Sequence, residues 1–147
     1  MVARWNLVAH VAALVVSVCL RLTWGGWETV GFAMSIIGPG AMLMPSIVAW
    51  GLLRRRRLGA NVWVPLAGAS GSMVLASALI AGTGDLTEPT IPLFEVLGLP
   101  GNRSEWGDWT SPVGLVCAVA FLVFLGWALL EVMASGSVAR GERPMLP

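Results

Sequence analysis

The sequence predicts an all-α integral membrane protein whose four transmembrane helices form an antiparallel up-down-up-down bundle. Hydrophobic residues make up 56% of the 147-residue chain and charged residues only 12%, whereas a soluble domain carries about 25% charged residues. The mean hydropathy is +0.79. Four stretches reach the roughly 20 apolar residues that a helix needs to cross a hydrocarbon core. These observations exclude an ordinary soluble enzyme and a disordered chain.

The four predicted spans belong to a single domain that covers residues 1–133. Their approximate bounds are residues 5–24, 30–53, 62–81 and 109–133. For the first stretch a cleaved signal peptide is the alternative, because Arg4 precedes an apolar run. No small-residue cleavage site follows that run, so we favour a retained helix.

Two longer segments, a loop and a tail, lie outside the predicted spans. Residues 82–108 form a predicted outer loop, and residues 91–98 within it are expected to make one or two helical turns in the membrane interface. Phe94 and Leu97 of those turns are expected to face lipid. The tail at 134–147 is polar and contains proline and glycine, and is predicted to be disordered.

Arginine placement predicts the orientation, because cytoplasmic loops retain basic residues. With four spans, the two termini and the middle loop share one side, which carries seven arginines and two glutamates. The opposite side carries two arginines and six acidic residues. Both termini are therefore expected to be cytoplasmic. Nine arginines without a lysine and eight tryptophans without a tyrosine favour a bacterial source, hence the cytoplasmic (inner) membrane.

A polar stripe on the first span supplies the candidate intramembrane site. His10, Ser17 and Arg21 are spaced by seven and four residues and share one helical face. Ionisable groups in a span face the bundle or a water-filled cavity. Glu131 lies at the same predicted end of the fourth span, so we hypothesise a contact between His10 and Glu131, direct or through water. A proton relay is the functional interpretation, and a histidine hydrogen-bonded inside the bundle is the structural one, which we favour.

The second span contains a candidate helix break. A proline leaves the carbonyl four residues before it without its partner, so Pro39 and Pro45 free the carbonyls of Ser35 and Ala41. Counted from Val30, Pro39 is expected about 13–14 Å deep, near the membrane midplane. Transporters build substrate and ion sites at broken helices, whereas neighbouring helices commonly satisfy a simple proline kink.

Small residues four positions apart predict close helix packing within the bundle or in a homodimer. Two such ladders lie on the third span and one on the fourth: Gly68, Ser72 and Ala76; Ala67 and Gly71; Gly114 and Ala118. Cys19 and Cys117 are both expected in the outer half of the membrane. They are predicted to be buried, inert thiols, with a disulfide between neighbouring helices as the alternative.

No cofactor, metal or nucleic acid is predicted. The chain has no CxxC motif and no Cys/His cluster of the kind that binds zinc. Its net charge of +1 lacks the basic excess of a nucleic-acid-binding surface. Haem would need His10 together with a methionine or with the His10 of a second copy, so we expect none. No catalytic constellation is found.

Three functions remain, and the first is favoured. A non-enzymatic accessory or interaction subunit of a membrane complex fits the small-residue ladders and the long outer loop. A small oligomeric transporter or channel would use the polar face of the first span and the broken second helix. A haem- or redox-active membrane subunit is the third. Length and span number resemble those of small multidrug transporters, but their membrane-embedded glutamate in the first span is absent here.

Overall fold

The computed structural model describes residues 2–24, 26–35, 37–54, 62–82, 90–99 and 103–141. Within these ranges the chain is helical and has no strand. The helices, in chain order, are α1 (Val2–Trp24), α2 (Trp27–Met34), α3 (Ile37–Arg54), α4 (Trp63–Leu79), α5 (Pro92–Leu97) and α6 (Arg103–Gly141). The predicted fold class is therefore confirmed at the level of an all-α protein.

Two helices are long and apolar enough to cross a membrane. They are Trp5–Trp24 of α1 and Trp106–Ala134 of α6, and the apolar helix Trp63–Leu79 is shorter. Only 11% of the first segment's apolar window and 22% of the second's are buried inside the protein, whereas the core helix of a soluble protein is mostly buried. Contiguous exposed apolar surface of this kind is rare on soluble monomers. The helices therefore indicate a membrane protein.

Helix α4 occupies the centre of the packing and contacts α1, α3 and α6. At its start, Val62 and Leu66 cluster with Ala128 of α6 and with Val48 of α3. One to two turns further along α4, Ala69 and Met73 cluster with Phe121 and Leu125 of α6 and with Ala41 and Met42 of α3. These residues precede Ala128 and Val48 in their own helices. Helix α4 therefore runs in the opposite direction to α3 and to α6.

The predicted second span is divided into two helices, and the division does not fall at a proline. Helix α2 ends before Ser35, whose backbone is extended at φ −78° and ψ 135°, and α3 begins at Ile37. Pro39 lies in the first turn of α3, where a backbone N–H has no helical partner to lose. Its ring would clash with the Ser35 carbonyl if α2 continued into α3, which explains a break one turn before the proline.

Ser35 holds the two halves of this break together. Its hydroxyl donates to the Phe32 carbonyl oxygen at 2.8 Å and accepts the Gly38 N–H at 3.1 Å. A Cβ on Gly38 would lie 2.7 Å from the Phe32 carbonyl oxygen, so only glycine permits this approach of α3 to α2. Pro45, by contrast, is buried inside α3 without ending it.

The last helix is longer than the predicted fourth span at both ends. Helix α6 begins at Arg103, inside the predicted outer loop, and continues to Gly141, inside the tail predicted to be disordered. Extending an existing helix by one residue costs far less than starting a new one, which favours continuation past the apolar segment. Residues 142–147 of the tail, residues 83–89 of the loop and Arg55–Arg57 of the middle loop lie outside the described residues.

The helical turns predicted within the outer loop are confirmed as α5. Gly98 ends this helix in the left-handed conformation at φ 62°, which glycine adopts without steric cost. Phe94 makes an edge-to-face contact with Trp106 of α6, with ring centroids 5.5 Å apart, rather than pointing away from the protein. Leu97 is exposed, as expected. Backbone hydrogen bonds between Gly82 and Thr90 bring α5 back to the end of α4.

Glycines explain how closely α4 and α6 approach. A Cβ on Gly68 would lie 2.9 Å from the Phe124 ring, and one on Gly114 would lie 2.6 Å from Ile80 Cγ1 and 2.9 Å from the Ile80 backbone nitrogen. One predicted ladder on each helix therefore includes a glycine at which the two chain segments approach closely, Gly68 against Phe124 and Gly114 against Ile80. Gly71 differs, because a Cβ there would meet no atom within 4 Å.

We predict that Gly114→Ala destabilises the protein by about 1–3 kcal/mol, the usual cost of overpacking, because the backbone of Ile80 must move. Gly126→Ala on the same helix is the matched control, since a Cβ there meets nothing within 4 Å. The control should be neutral or slightly stabilising, because alanine is the better helix former. Free energies of unfolding in bicelles test the pair, and equal values for the two variants would contradict the packing.

Candidate functional site

His10 and Ser70 form the polar contact between α1 and α4. His10 Nδ1 and Ser70 Oγ share a hydrogen bond of 2.5 Å, and both side chains are buried, at 4% and 6% exposure. Which atom donates depends on the imidazole tautomer. The histidine that the sequence singled out is thus held by a serine of the third apolar segment.

Glu131, the partner expected for His10, has a different neighbour. Its carboxylate oxygen accepts a hydrogen bond from Trp127 Nε1, one turn earlier on α6, at 3.2 Å. Helix α1 packs mainly against α4 and α3, so α4 separates most of α1 from α6. The shared predicted end of the two spans did not bring His10 and Glu131 together, because position along a span does not specify which helices are neighbours.

Ser17 lies one heptad beyond His10 on the same face of α1. Its side chain is fully buried, at 0% exposure, and its Oγ has no hydrogen-bond partner within the described ranges. On α4, Ser77 lies one heptad beyond Ser70 and is also buried. Because α1 and α4 run in the same direction from the His10–Ser70 contact, the equal spacing places Ser17 and Ser77 at one level of the helix pair.

Arg21 reaches across to the end of α4. Its Nη2 donates to the Ala76 carbonyl oxygen at 3.0 Å, an oxygen that also accepts the Ile80 N–H at 3.1 Å. The last carbonyls of a helix carry partial negative charge, and a basic side chain there is favourable. Arg21 of the predicted polar stripe therefore contacts the last turn of α4.

The residues of the predicted helix break do not join this polar contact. Ser35 bridges α2 and α3, Pro39 lies in the first turn of α3, and Pro45 is buried within that helix. Ala41 packs against the apolar cluster of α4 and α6. The predicted site residues therefore fall into two separate groups, one between α1 and α4 and one at the start of α3.

Both cysteines are free thiols. Cys19 is exposed and Cys117 is partly exposed, so neither the alternative of a disulfide nor the expectation of two buried thiols describes them. Among the residues that the structure describes, no group of three His, Cys, Asp or Glu side chains could hold a metal ion.

Two partners in this site were missed from sequence. Ser70 and the Ala76 carbonyl complete the contacts of His10 and Arg21, and only Ser70 carries a sequence signal. The seven-residue spacing of Ser70 and Ser77 on α4 equals that of His10 and Ser17 on α1, so two matching polar heptads predict a shared interface. A backbone carbonyl has no such signal, since every residue carries one.

The arrangement is suited to holding two helices in register. One hydrogen bond between His10 and Ser70 and one guanidinium contact from Arg21 to the Ala76 carbonyl join α1 to α4 at two levels, and Ser17 lies between them along α1. The serine and histidine have no carboxylate neighbour within the described ranges that would orient the imidazole for nucleophilic catalysis. No protein family model, curated protein or solved structure matches the chain.

We predict a favourable coupling between His10 and Ser70 in a double-mutant cycle of His10→Ala, Ser70→Ala and the double variant. Interhelical hydrogen bonds in membrane proteins couple by about 0.6 kcal/mol on average and by up to about 1.7 kcal/mol. Ser17→Ala is the matched control and should be neutral or stabilising, because its buried hydroxyl has no partner to lose. Unfolding free energies in bicelles give both results. Zero coupling, or a large loss in Ser17→Ala, would contradict the geometry.

For Arg21 we predict that Arg21→Gln lowers the free energy of unfolding by about 1 kcal/mol, the usual scale for a charge at a helix end. Arg21→Lys should retain most of the stability, because the positive charge remains. The amide of Ile80, which shares the Ala76 carbonyl, should exchange faster with solvent in Arg21→Gln than in the wild type. An unchanged exchange rate at Ile80 would show that Arg21 does not stabilise the last turn of α4.

Proposed function

We propose that the protein is a non-enzymatic accessory or interaction subunit of a complex in the bacterial inner membrane. One observation carries the proposal: α4 packs against α1, α3, α5 and α6 and still leaves an open face of small and apolar side chains. We call this the α4 face and define it by Val64, Ala67, Gly71 and Leu75, all of which are exposed.

The proposed topology has four antiparallel spans, contributed by α1, α3, α4 and α6, with both termini in the cytoplasm. It is supported by the opposite directions of α4 and its neighbours α3 and α6, and by the arginines on one side of the predicted spans. Trp50, Trp63 and Trp127 support it as well. Trp50 lies near the end of α3, Trp63 begins α4, and Trp127 precedes Ala128, the α6 residue that packs at the start of α4. The three tryptophans are thus at one end of the helix packing, as expected for a membrane interface.

The α4 face suits a partner helix better than it suits lipid alone. Gly71 and Ala67 are four residues apart, the spacing that lets two helix backbones approach closely in a membrane. No atom of the described residues lies within 4 Å of a Cβ built on Gly71, which leaves space for another chain beside this part of α4. Val64 and Leu75, at 64% and 52% exposure, flank the small residues and would pack around the crossing point.

The experiment compares Gly71→Leu with Gly126→Leu after purification in a mild detergent. Both glycines face open space, so both variants should fold and both should behave alike as monomers. We expect the wild type and Gly126→Leu to retain a stoichiometric second polypeptide in native mass spectra, and Gly71→Leu to lose at least nine-tenths of it. A wild type that is monomeric and partner-free in native membranes would contradict the proposal.

A small oligomeric transporter or channel is the second candidate, and the specific observation that favours it is Ser17. Its buried hydroxyl lies between His10 and Arg21 without a partner, as a hydration site on a polar path would. Proton flux into proteoliposomes loaded with a pH-sensitive dye tests whether the protein conducts protons. Proton flux in the wild type that is lost in His10→Gln supports the second candidate, and no flux above empty vesicles excludes a proton path along α1.

A further inference from the structure

The break between α2 and α3 lies at the end of the helix packing, not in its middle. In the contacts of α3 with α4, Val48 packs at the level of Val62 and Leu66, and Ala41 packs at the level of Ala69 and Met73. Continuing this antiparallel register places Ser35 at the level of Ser77, in the last turn of α4. Helix α3 alone, at 18 residues, is about 27 Å long at 1.5 Å per residue, close to the thickness of a hydrocarbon core.

Helix α5 lies at this same end. The Gly82–Thr90 backbone contacts follow directly after α4, and Ile91 and Pro92 are buried as α5 packs against α4 and α1. The two short helices therefore flank the level at which α4 ends, where Arg21 contacts the Ala76 carbonyl.

Both short helices leave apolar side chains uncovered. On α2 these include Met34, at 82% exposure, and on α5 and its C-terminal end they include Val96, at 56%. We name this set the outer apolar rim: Val30, Phe32, Met34, Val96, Leu97 and Leu99. Because Ser35 and Gly38 fix α2 against α3, the exposure of the α2 side chains is built into the fold.

We propose that the outer apolar rim lies in the headgroup and upper acyl region of the outer leaflet, with α2 and α5 as interfacial helices. The inference rests on the membrane-spanning topology proposed above. Helices of this kind bury their apolar side chains about 5–10 Å into the boundary between headgroups and acyl chains. The bound partner is therefore the lipid surface, and α2 is not part of a transmembrane span.

Continuity with exposed tryptophans supports lipid as the occupant. Phe94 of α5 contacts Trp106 of α6, and Trp109, one turn later on α6, is 77% exposed. Exposed indole rings at the end of an apolar span are typical of the membrane–water interface. The α5 part of the rim adjoins these tryptophans through Phe94, and the α2 part lies at the same end of the helix packing, so one interface accounts for the tryptophans and for both short helices.

The test uses spin labels on single cysteines, in a protein whose Cys19 and Cys117 are replaced by alanine. Labels are placed at Met34→Cys and Val96→Cys, and at Val119→Cys, an exposed position near the centre of the apolar α6 segment. The protein is reconstituted into phosphatidylcholine–phosphatidylglycerol vesicles. Collision rates with oxygen, which partitions into the acyl region, and with a neutral nickel chelate, which stays in water, then report depth.

We expect the ratio of oxygen to nickel accessibility at Met34 and Val96 to be several-fold higher than for a water-exposed label, and lower than at Val119. A ratio at Met34 and Val96 equal to that of an aqueous label, with Val119 deep, would overturn the rim proposal and leave the spanning topology intact. Immobilised labels that meet neither reagent would also overturn it, because protein rather than lipid would then cover the rim. A shallow Val119 would instead contradict the proposed topology itself.

Discussion

The structure depends on the polar contacts that join α1 to α4 between otherwise apolar helices. With 12% charged residues, the chain has few groups that can form such contacts, and the buried Ser17 hydroxyl has no partner within the described ranges. The buried His10 is held by Ser70, and Arg21 donates to the Ala76 carbonyl. The exposed Ser35 joins the two ends of a broken helix. In hydrocarbon an unpaired backbone or side-chain group costs several kcal/mol, so these contacts determine which helix arrangements are tolerated.

Close packing stabilises the other side of α4, where this helix contacts α6. Gly68 and Gly114 let α4 and α6 approach until ring and backbone atoms are in contact, and the polar groups join α4 to α1. The two interfaces of α4 thus differ in chemistry: dispersion contacts dominate toward α6, and hydrogen bonds contribute toward α1. Because hydrogen bonds are directional, the α1 interface specifies register, whereas the glycines specify distance.

The sequence predicted the all-α class, the two longest apolar segments and the helical turns of α5, because hydropathy and flanking proline and glycine are local signals. It named Ser35, Pro39, Ala41 and Pro45 as residues of a break in the second span; the helix divides at Ser35, one turn before Pro39, and continues through Pro45. Helix α6 continues beyond the predicted span end at residue 133, to Gly141, since helix propagation beyond an apolar segment leaves no sharp signal in the sequence.

Site prediction from the sequence had a different limit. The periodicity of α1 correctly grouped His10, Ser17 and Arg21 on one face, but periodicity says nothing about the helix that this face meets. Glu131 was selected only from its predicted position along the fourth span. Because α1 packs against α4, the hydrogen-bond partner of His10 is Ser70. Contacts to a carbonyl such as that of Ala76 depend on where a helix ends and on which neighbour reaches it, and both are properties of the tertiary structure.

The separation of the two candidate sites bears on function. A transporter of the broken-helix type places its unwound backbone beside the polar side chains that bind substrate, near the middle of the membrane. Here Ser35 lies at the level of the last turn of α4, whereas His10 contacts Ser70, about two helical turns earlier along α4. The hydroxyl of Ser35 is bonded on both sides, to Phe32 and to Gly38, so the break is closed by the chain itself. The polar face of α1 and the break between α2 and α3 are therefore separate structural contacts, and neither of them includes the open α4 face through which we propose that the chain binds another protein.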